Sequence, residues 1–143
     1  MKSVVKTIGI HTTQDMEIIN ITDIVKDAVT SSGLTAGTVH IMTKHTTSGI
    51  TVNEGLPDIE DDLLEMLHRL VPRNHDYRHA RFLHSDGQMA VNGYSHLRSA
   101  LIGKDTFFPL HDGEMVMGSR QTIYFVEMDG PLQREFVVHI LGE

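Results

Sequence analysis

Gln121-Thr122-Ile123-Tyr124-Phe125-Val126-Glu127-Met128 is rich in β-branched and aromatic residues. It is followed by Asp129-Gly130-Pro131 and then by Arg134-Glu135-Phe136-Val137-Val138-His139-Ile140-Leu141. Both runs have the length and composition of strands. The Asp-Gly-Pro between them is a strong turn signal, so 121–128 is expected to pair with 134–141 as a hairpin.

Working outward from that hairpin, two further strands are expected at Thr106–Leu110 and Glu114–Met117. A short helix should precede them, with Asn92 or Ser95 as its cap, Leu97, Leu101 and Ile102 facing inward, and Gly103 as its stop. A second helix begins at Pro57, whose ring suits the first turn. Asp58, Glu60 and Asp61 put negative charge at its positive end. Ile59, Leu63, Met66, Leu67 and Leu70 form its apolar stripe, and Pro72 ends it. Between these helices, residues 73–92 show no clear period and read as a long loop carrying His75, His79 and His84. Loops of that length are usually functional or disordered.

Near the N-terminus, Ser3–Thr12 reads as a strand, and Met16–Asn20 is a second short apolar run. Thr22 can cap a third helix, with Ile21, Ile24, Val25, Ala28 and Val29 at helical spacing and Gly33 past its end. Thr38–Thr46 reads as a strand that Gly49 breaks or bends before Ile50-Thr51-Val52. Strands interrupted by about three helices predict an α+β fold with a mixed, largely antiparallel sheet. No linker, repeat or low-complexity stretch interrupts residues 1–143, which predicts one compact domain.

Composition narrows the functional classes. Twelve Lys and Arg stand against 19 Asp and Glu, a net charge of −7 with His neutral, and no basic run is present. A nucleic-acid partner is therefore not expected. No segment is long and apolar enough for a membrane span and no targeting segment is evident, so a cytoplasmic protein is expected. Cys is absent, which removes disulfides, thiolate metal sites and a Cys nucleophile. Ten His outnumber eight Phe and Tyr, and six of them lie between His68 and His111. Without Cys, a soft-metal site must use imidazole and carboxylate.

Four stretches hold candidate chemistry. Lys44-His45-Thr46-Thr47-Ser48-Gly49 leads through Thr51 to Asn53 and Glu54. Its hydroxyls and backbone amides beside a Gly can form an anion nest, and Asn53 and Glu54 end a strand. The competing reading is a solvated polar hairpin. Asp58 and Asp62 share a helix face and can hold Mg²⁺ through water, although acidic residues at a helix start are more often there to complement its dipole. His75, His79, His84, His96 and His111 match no tight zinc motif. Each alone is more often structural or exposed, and their density is what raises the metal reading. Gly118-Ser119-Arg120-Gln121 offers close backbone approach, and Arg120 and Arg134 can grip phosphate.

In this order the stretches resemble the YjbQ-like family, described as secondary thiamine-phosphate synthases. The matching pieces are His45-Thr46-Thr47-Ser48-Gly49 with Thr51-Val52-Asn53-Glu54, Asn92-Gly93-Tyr94-Ser95-His96-Leu97 with Ser99-Ala100-Leu101-Ile102-Gly103, Pro109 with Gly113, Gly118-Ser119-Arg120-Gln121, and Glu127-Met128-Asp129-Gly130-Pro131. The resemblance implies an α+β homotrimer with zinc or another divalent metal on His45, His84 and His96. His79 and His111 are the alternative ligands. It places Glu54, Asn53, Asp58 and Gln121 in catalysis, with Asp62 at a further polar family position. Lys44, Thr46, Thr47, Ser48, Ser119 and Arg120 are expected at a phosphorylated small-molecule substrate. Ser119 and Arg120 stand where the family usually has Thr and Trp, and Leu132 where it often has Arg.

The activity implied is the joining of a hydroxymethylpyrimidine diphosphate to a thiazole phosphate with release of diphosphate. One alternative is a zinc-dependent hydrolase of a phosphorylated or ester metabolite, with Glu54 as general base. The other is a non-catalytic trimeric protein that binds metal or metabolite.

Overall fold

The computed structural model describes residues 1–83 and 88–143, and of 81–83 and 88–90 the backbone alone. The chain runs β1 (Lys2–His11), β2 (Glu17–Asn20), α1 (Thr22–Ser32), β3 (Ala36–Thr43), β4 (Ser48–Glu54) and α2 (Pro57–Leu70). It continues with β5 (Arg81–Leu83), β6 (Gln88–Ala90), α3 (Gly93–Ile102), β7 (Asp105–His111), β8 (Glu114–Met115), β9 (Gln121–Glu127) and β10 (Gln133–Gly142). A five-stranded sheet has the order β1-β10-β3-β7-β8 and a three-stranded sheet the order β2-β9-β4. Every pairing is antiparallel. The expected α+β class with antiparallel sheets is the class observed.

The hairpin expected of 121–128 and 134–141 does not form. β9 pairs with β2 and β4, whereas β10 pairs with β1 and β3. Asp129-Gly130-Pro131 instead carries the chain from one sheet to the other, through a cis Gly130–Pro131 bond. The physical reason lies in the burial of both strands. Along β10, Arg134, Phe136, Val138 and Ile140 are buried, and along β9 Ile123 through Glu127 are all buried. Strands this apolar are better covered in the middle of two facing layers than as one exposed ribbon.

The main core lies between the sheets. Phe136, Val138 and Ile140 of β10 and Val39 and Ile41 of β3 meet Ile123 and Phe125 of β9 and Ile50 of β4. Val25, Ala28 and Val29 of α1 join the same cluster. Gly33 closes α1 at φ 71°, donating its N–H to the Thr30 carbonyl, as the sequence suggested. Thr22 does not cap that helix. Ile21 holds the cap position, and the Thr22 hydroxyl accepts the Ile123 N–H at 2.9 Å, tying α1 to β9.

The three-stranded sheet turns its other face to α2 and α3, where Met16, Leu67, Tyr124, Val126 and Met128 form a second cluster with Leu64 and Ile102 against it. Of the stripe expected on α2, Leu67 is buried while Leu70 is exposed. Leu97 and Leu101 of α3 do not face inward. They are 47% and 58% exposed, and the helix buries Gly93, Ser95 and Arg98 instead. Arg98 replaces a leucine there because its donors are used: Nε to the Val71 carbonyl at 3.0 Å and Nη1 to Met16 Sδ at 3.0 Å. The long loop is not structureless, since β5 and β6 pair within it. Among the described residues no helix is long and apolar enough to cross a membrane.

Candidate functional site

Most of the expected site residues that the structure describes fall at the two ends of β4. Ser48 opposes Glu127 and Glu54 opposes Gln121 in the β4–β9 register. Six residue steps separate the ends, about 20 Å of extended chain.

At the first end, the β3–β4 corner packs on a buried ion pair. Glu127 of β9 and Arg134 of β10 lie in different sheets and are 0% and 4% exposed. Arg134 Nε donates to Glu127 Oε2 at 2.6 Å and Nη2 to Oε1 at 2.5 Å. Arg134 also donates to the Thr47 hydroxyl at 2.7 Å. The Thr12 hydroxyl and the Asp129 N–H complete the Glu127 carboxylate, at 3.2 and 2.9 Å. Arg134 is thus engaged inside the protein and not free to grip a substrate phosphate, contrary to the reading from sequence. Ser48 likewise turns inward, its hydroxyl 2.7 Å from that of Thr43. Thr47 and Ser48 are buried, and Thr46 beside them is exposed.

His45 sits on the outside of this corner. Its Nε2 accepts the Glu135 N–H at 2.9 Å, and Lys44 pairs with the Glu135 carboxylate at 3.0 Å. Burial, and then the positive charge of Arg134, hold the His45 imidazole below its ordinary pKa of 6.5. His45 is therefore a neutral ring with one nitrogen occupied.

α3 brings its N-terminus to the same end. Asn92 Nδ2 donates to Asp129 Oδ2 at 2.8 Å, Ser95 to the Met128 carbonyl at 2.6 Å, and Ser99 to the Ser48 carbonyl at 2.6 Å. His96 lies edge-on to His79 with ring centroids 4.9 Å apart. Gly93 allows this approach: a Cβ there would stand 3.0 Å from Tyr77 Cβ and 3.3 Å from His79 Cβ. His84 lies outside the described residues. Among the described residues no three His, Asp or Glu side chains converge so as to hold a metal ion. His111 lies apart from that end, in an exposed contact with Asp112 at 3.4 Å.

The second end is built on the Gly118–Gln121 turn. Gln121 Oε1 accepts the Gly118 N–H at 2.8 Å and so shapes the turn. Arg120 Nη1 donates to Glu54 Oε1 at 2.7 Å. Arg120 is 82% exposed in its side chain and Glu54 31%, so the strand end fixes the carboxylate and the guanidinium reaches outward. Tyr124 supports the Glu54 backbone through a 3.2 Å bond to its carbonyl. Burial, and secondarily the Glu60 charge, push the Tyr124 hydroxyl above its usual pKa, so it remains a donor. Asn53 caps the Glu54 N–H at 2.7 Å. Asp58 and Asp62 are exposed on the first turns of α2, where Asp58 accepts the Ile59 N–H at 2.8 Å. The turn also forms one wall of an open cleft against α1 and β8, lined by Ser119 and Gln121 among others. Nothing in the sequence pattern marked the α1 side of that cleft, because Lys26 and Thr30 are ordinary exposed helix positions and Val29 belongs to the core stripe.

Known proteins share this fold. The chain is 35% identical over 135 residues to a UPF0047 protein of Methanocaldococcus jannaschii, covering 94% of this chain and 91% of that one. It is 33% identical to the UPF0047 protein YugU of Bacillus subtilis, over 96% of this chain and 98% of YugU. A crystal structure of a YbjQ-like protein of unknown function from Sulfolobus solfataricus superposes with a TM-score of 0.90 at 30% identity, covering 99% of both chains. The family described as UPF0047 protein YjbQ-like matches residues 6–143, and the chain belongs to that family.

Proposed function

We propose that the chain is a transferase that joins a hydroxymethylpyrimidine diphosphate to a thiazole phosphate and releases diphosphate, acting at the Gly118–Gln121 end. The observation that carries this reading is the Arg120–Glu54 pair, whose arginine belongs to the Gly118–Gln121 turn. In such a transfer the lone pair of the thiazole nitrogen forms the new C–N bond to the pyrimidine methylene. The C–O bond breaks, and its electron pair leaves with diphosphate. The barrier is set by negative charge gathering on the leaving group, and a preorganised guanidinium stabilises that charge. Glu54 holds one edge of Arg120 on a rigid strand end and leaves its other N–H groups for the ligand. With a net charge of −7 the protein does not attract such anions from a distance, so local cations must do the binding.

The hydrolase alternative needs Glu54 to take a proton from water. Arg120 Nη1 holds one oxygen of that carboxylate, Oε1, at 2.7 Å. Coupling of the two precursors, followed by mass spectrometry of the product, tests the proposal. Wild-type protein should form the coupled product, and Arg120→Met should lose at least ten-fold of the rate. Hydrolysis of either precursor without coupling would support the hydrolase, and tight binding without turnover would support the binding protein.

Zinc on His45, His84 and His96 is part of the proposal as a bound ion only. The described residues do not complete a three-ligand set, so no step above passes through it. Assembly into a homotrimer is proposed on the outer face of the five-stranded sheet. There Val5, His139, His40 and Phe107 form one row across four strands, with Val5 and Phe107 62% and 61% exposed. Association would cover the exposed apolar side chains at both ends of this row together with the two imidazoles between them.

A further inference from the structure

We propose that α2 is the pairing surface for α2 of a second copy of this chain, the two helices lying antiparallel about a two-fold axis. α2 leaves part of its apolar surface uncovered. Leu67 is fully buried, and Leu64 packs with it in the second core cluster. The other apolar residues of the helix, Ile59, Leu63, Met66 and Leu70, belong to neither core cluster. Ile59, Leu63 and Met66 are half-buried and Leu70 is 58% exposed, while Leu56, at the cap position before the helix, is 44% exposed.

The spacing of these residues is that of a helix seam. From Leu56 to Leu70 the steps are three, four, three and four residues. That repeat draws one narrow stripe along a helix, the stripe by which two helices interlock their side chains. At about 100° per residue the stripe runs beside the Leu64–Leu67 face and not on it, so covering the stripe leaves the core undisturbed.

Charge decides the occupant and its direction. Asp58, Glu60, Asp61, Asp62 and Glu65 come first along α2, and His68, Arg69 and then Arg73 follow. A parallel copy would set acid against acid. An antiparallel copy sets the acidic start of each helix against the basic end of the other and opposes the two helix dipoles. An unrelated acidic or basic partner would satisfy only one half of the helix. The seam then fixes the register. Leu63 of one chain meets Met66 of the other, Ile59 meets Leu70, and Asp62 stands beside Arg69 of the other chain, each contact made twice by symmetry. Asp62 and Arg69 are exposed, two turns apart, and form no ion pair among the described residues. Two helices of 14 residues make a contact below the ~1,200 Å² of stable interfaces, so the pairing is weak and concentration-dependent. It uses a different face from the sheet row described above and does not rest on the transferase reading.

Sedimentation equilibrium at low salt, from micromolar to near-millimolar protein, tests this. The wild-type mass should double across that range, from three chains to six where the sheet face assembles and from one to two where it does not. The sheet-face reading and the α2 reading therefore fail separately. Asp62→Arg and Arg69→Asp each replace two attractive pairs by two repulsive ones, and each should weaken the doubling roughly ten-fold or more. Both positions are exposed, so the fold should be retained by circular dichroism. The double variant Asp62→Arg with Arg69→Asp restores opposite charges in the antiparallel register and should recover the wild-type doubling. A wild-type mass that never doubles, doubling untouched by either single reversal, or a double variant no better than the singles would overturn the proposal.

Discussion

Glu127 and Arg134 join the two sheets through a bidentate pair, 2.5 and 2.6 Å long, that is closed off from water. The pair stands just where the chain crosses from β9 to β10, so it fixes the sheet-to-sheet passage that replaces the expected hairpin. Removing one partner of such a buried pair leaves an uncompensated charge and costs ~3–5 kcal/mol. Glu127→Gln and Arg134→Met should each lower the unfolding free energy by that order, read as an earlier denaturation midpoint at unchanged slope. The double variant should be less destabilised than the sum of the two. Additive losses in chemical denaturation would show that the two residues act independently.

His45 makes stability depend on pH in a definite direction. Its folded-state pKa is lowered below 6.5 by burial and by Arg134. Below 6.5 the unfolded chain takes up a proton that the folded chain resists, so the unfolded state binds more protons. The contribution of His45 is complete above 6.5 and is lost as pH falls toward the folded-state value. His45→Gln retains an acceptor for the Glu135 N–H and removes the titration. Unfolding measured from about pH 7.5 down to about pH 5 should therefore show a shallower loss of stability in His45→Gln than in wild type. The same slope in both proteins would place the titration elsewhere.

The elements were legible in the sequence wherever one face alone is buried. The α1 pattern with Gly33, the start of α2 at Pro57 and the alternation along β10 all have this form. Pairing was not legible, because Asp129-Gly130-Pro131 turns the chain equally well within a sheet or between two. Leu97 and Leu101 misled because apolar residues at helical spacing do not say which face is covered, and Arg98 is the buried one. Gly49 signalled a bend, but its reason is close approach: a Cβ there would lie 2.5 Å from Ile102 Cγ2 and 2.8 Å from the Gly103 carbonyl. The candidate residues were chosen by type. That they divide between two ends of β4 depends on register, which no local pattern carries.

Metal analysis of protein purified without a His-tag tests the ligand proposal. Near-stoichiometric zinc is expected in wild type, with loss of most of it in His96→Ala. His79→Ala separates the alternatives, because His79 packs edge-on to His96. If His79 only positions the ring, its removal should weaken metal binding by ~10–100-fold and not abolish it. Unchanged zinc in both His96→Ala and His45→Ala would remove the assignment.

Assembly follows from the row Val5–His139–His40–Phe107. His40 lies between Phe107 at 5.6 Å and His139 at 6.4 Å between ring centroids, and Ser3 holds His139 Nε2 at 2.9 Å. The row is thus ordered before any partner arrives, which lowers the entropic cost of association. Sedimentation equilibrium should give about three chains for the wild type, the closed cyclic assembly proposed above. Phe107→Asp places a charge at one end of the row, and Phe107 is 61% exposed and outside the core clusters, so it should shift the protein toward monomer with its fold retained by circular dichroism. A wild-type monomer at high protein concentration would overturn the trimer. A trimer unchanged by Phe107→Asp would move the interface off this sheet, with the exposed Leu56 and Leu70 at the two ends of α2 as the next face to probe.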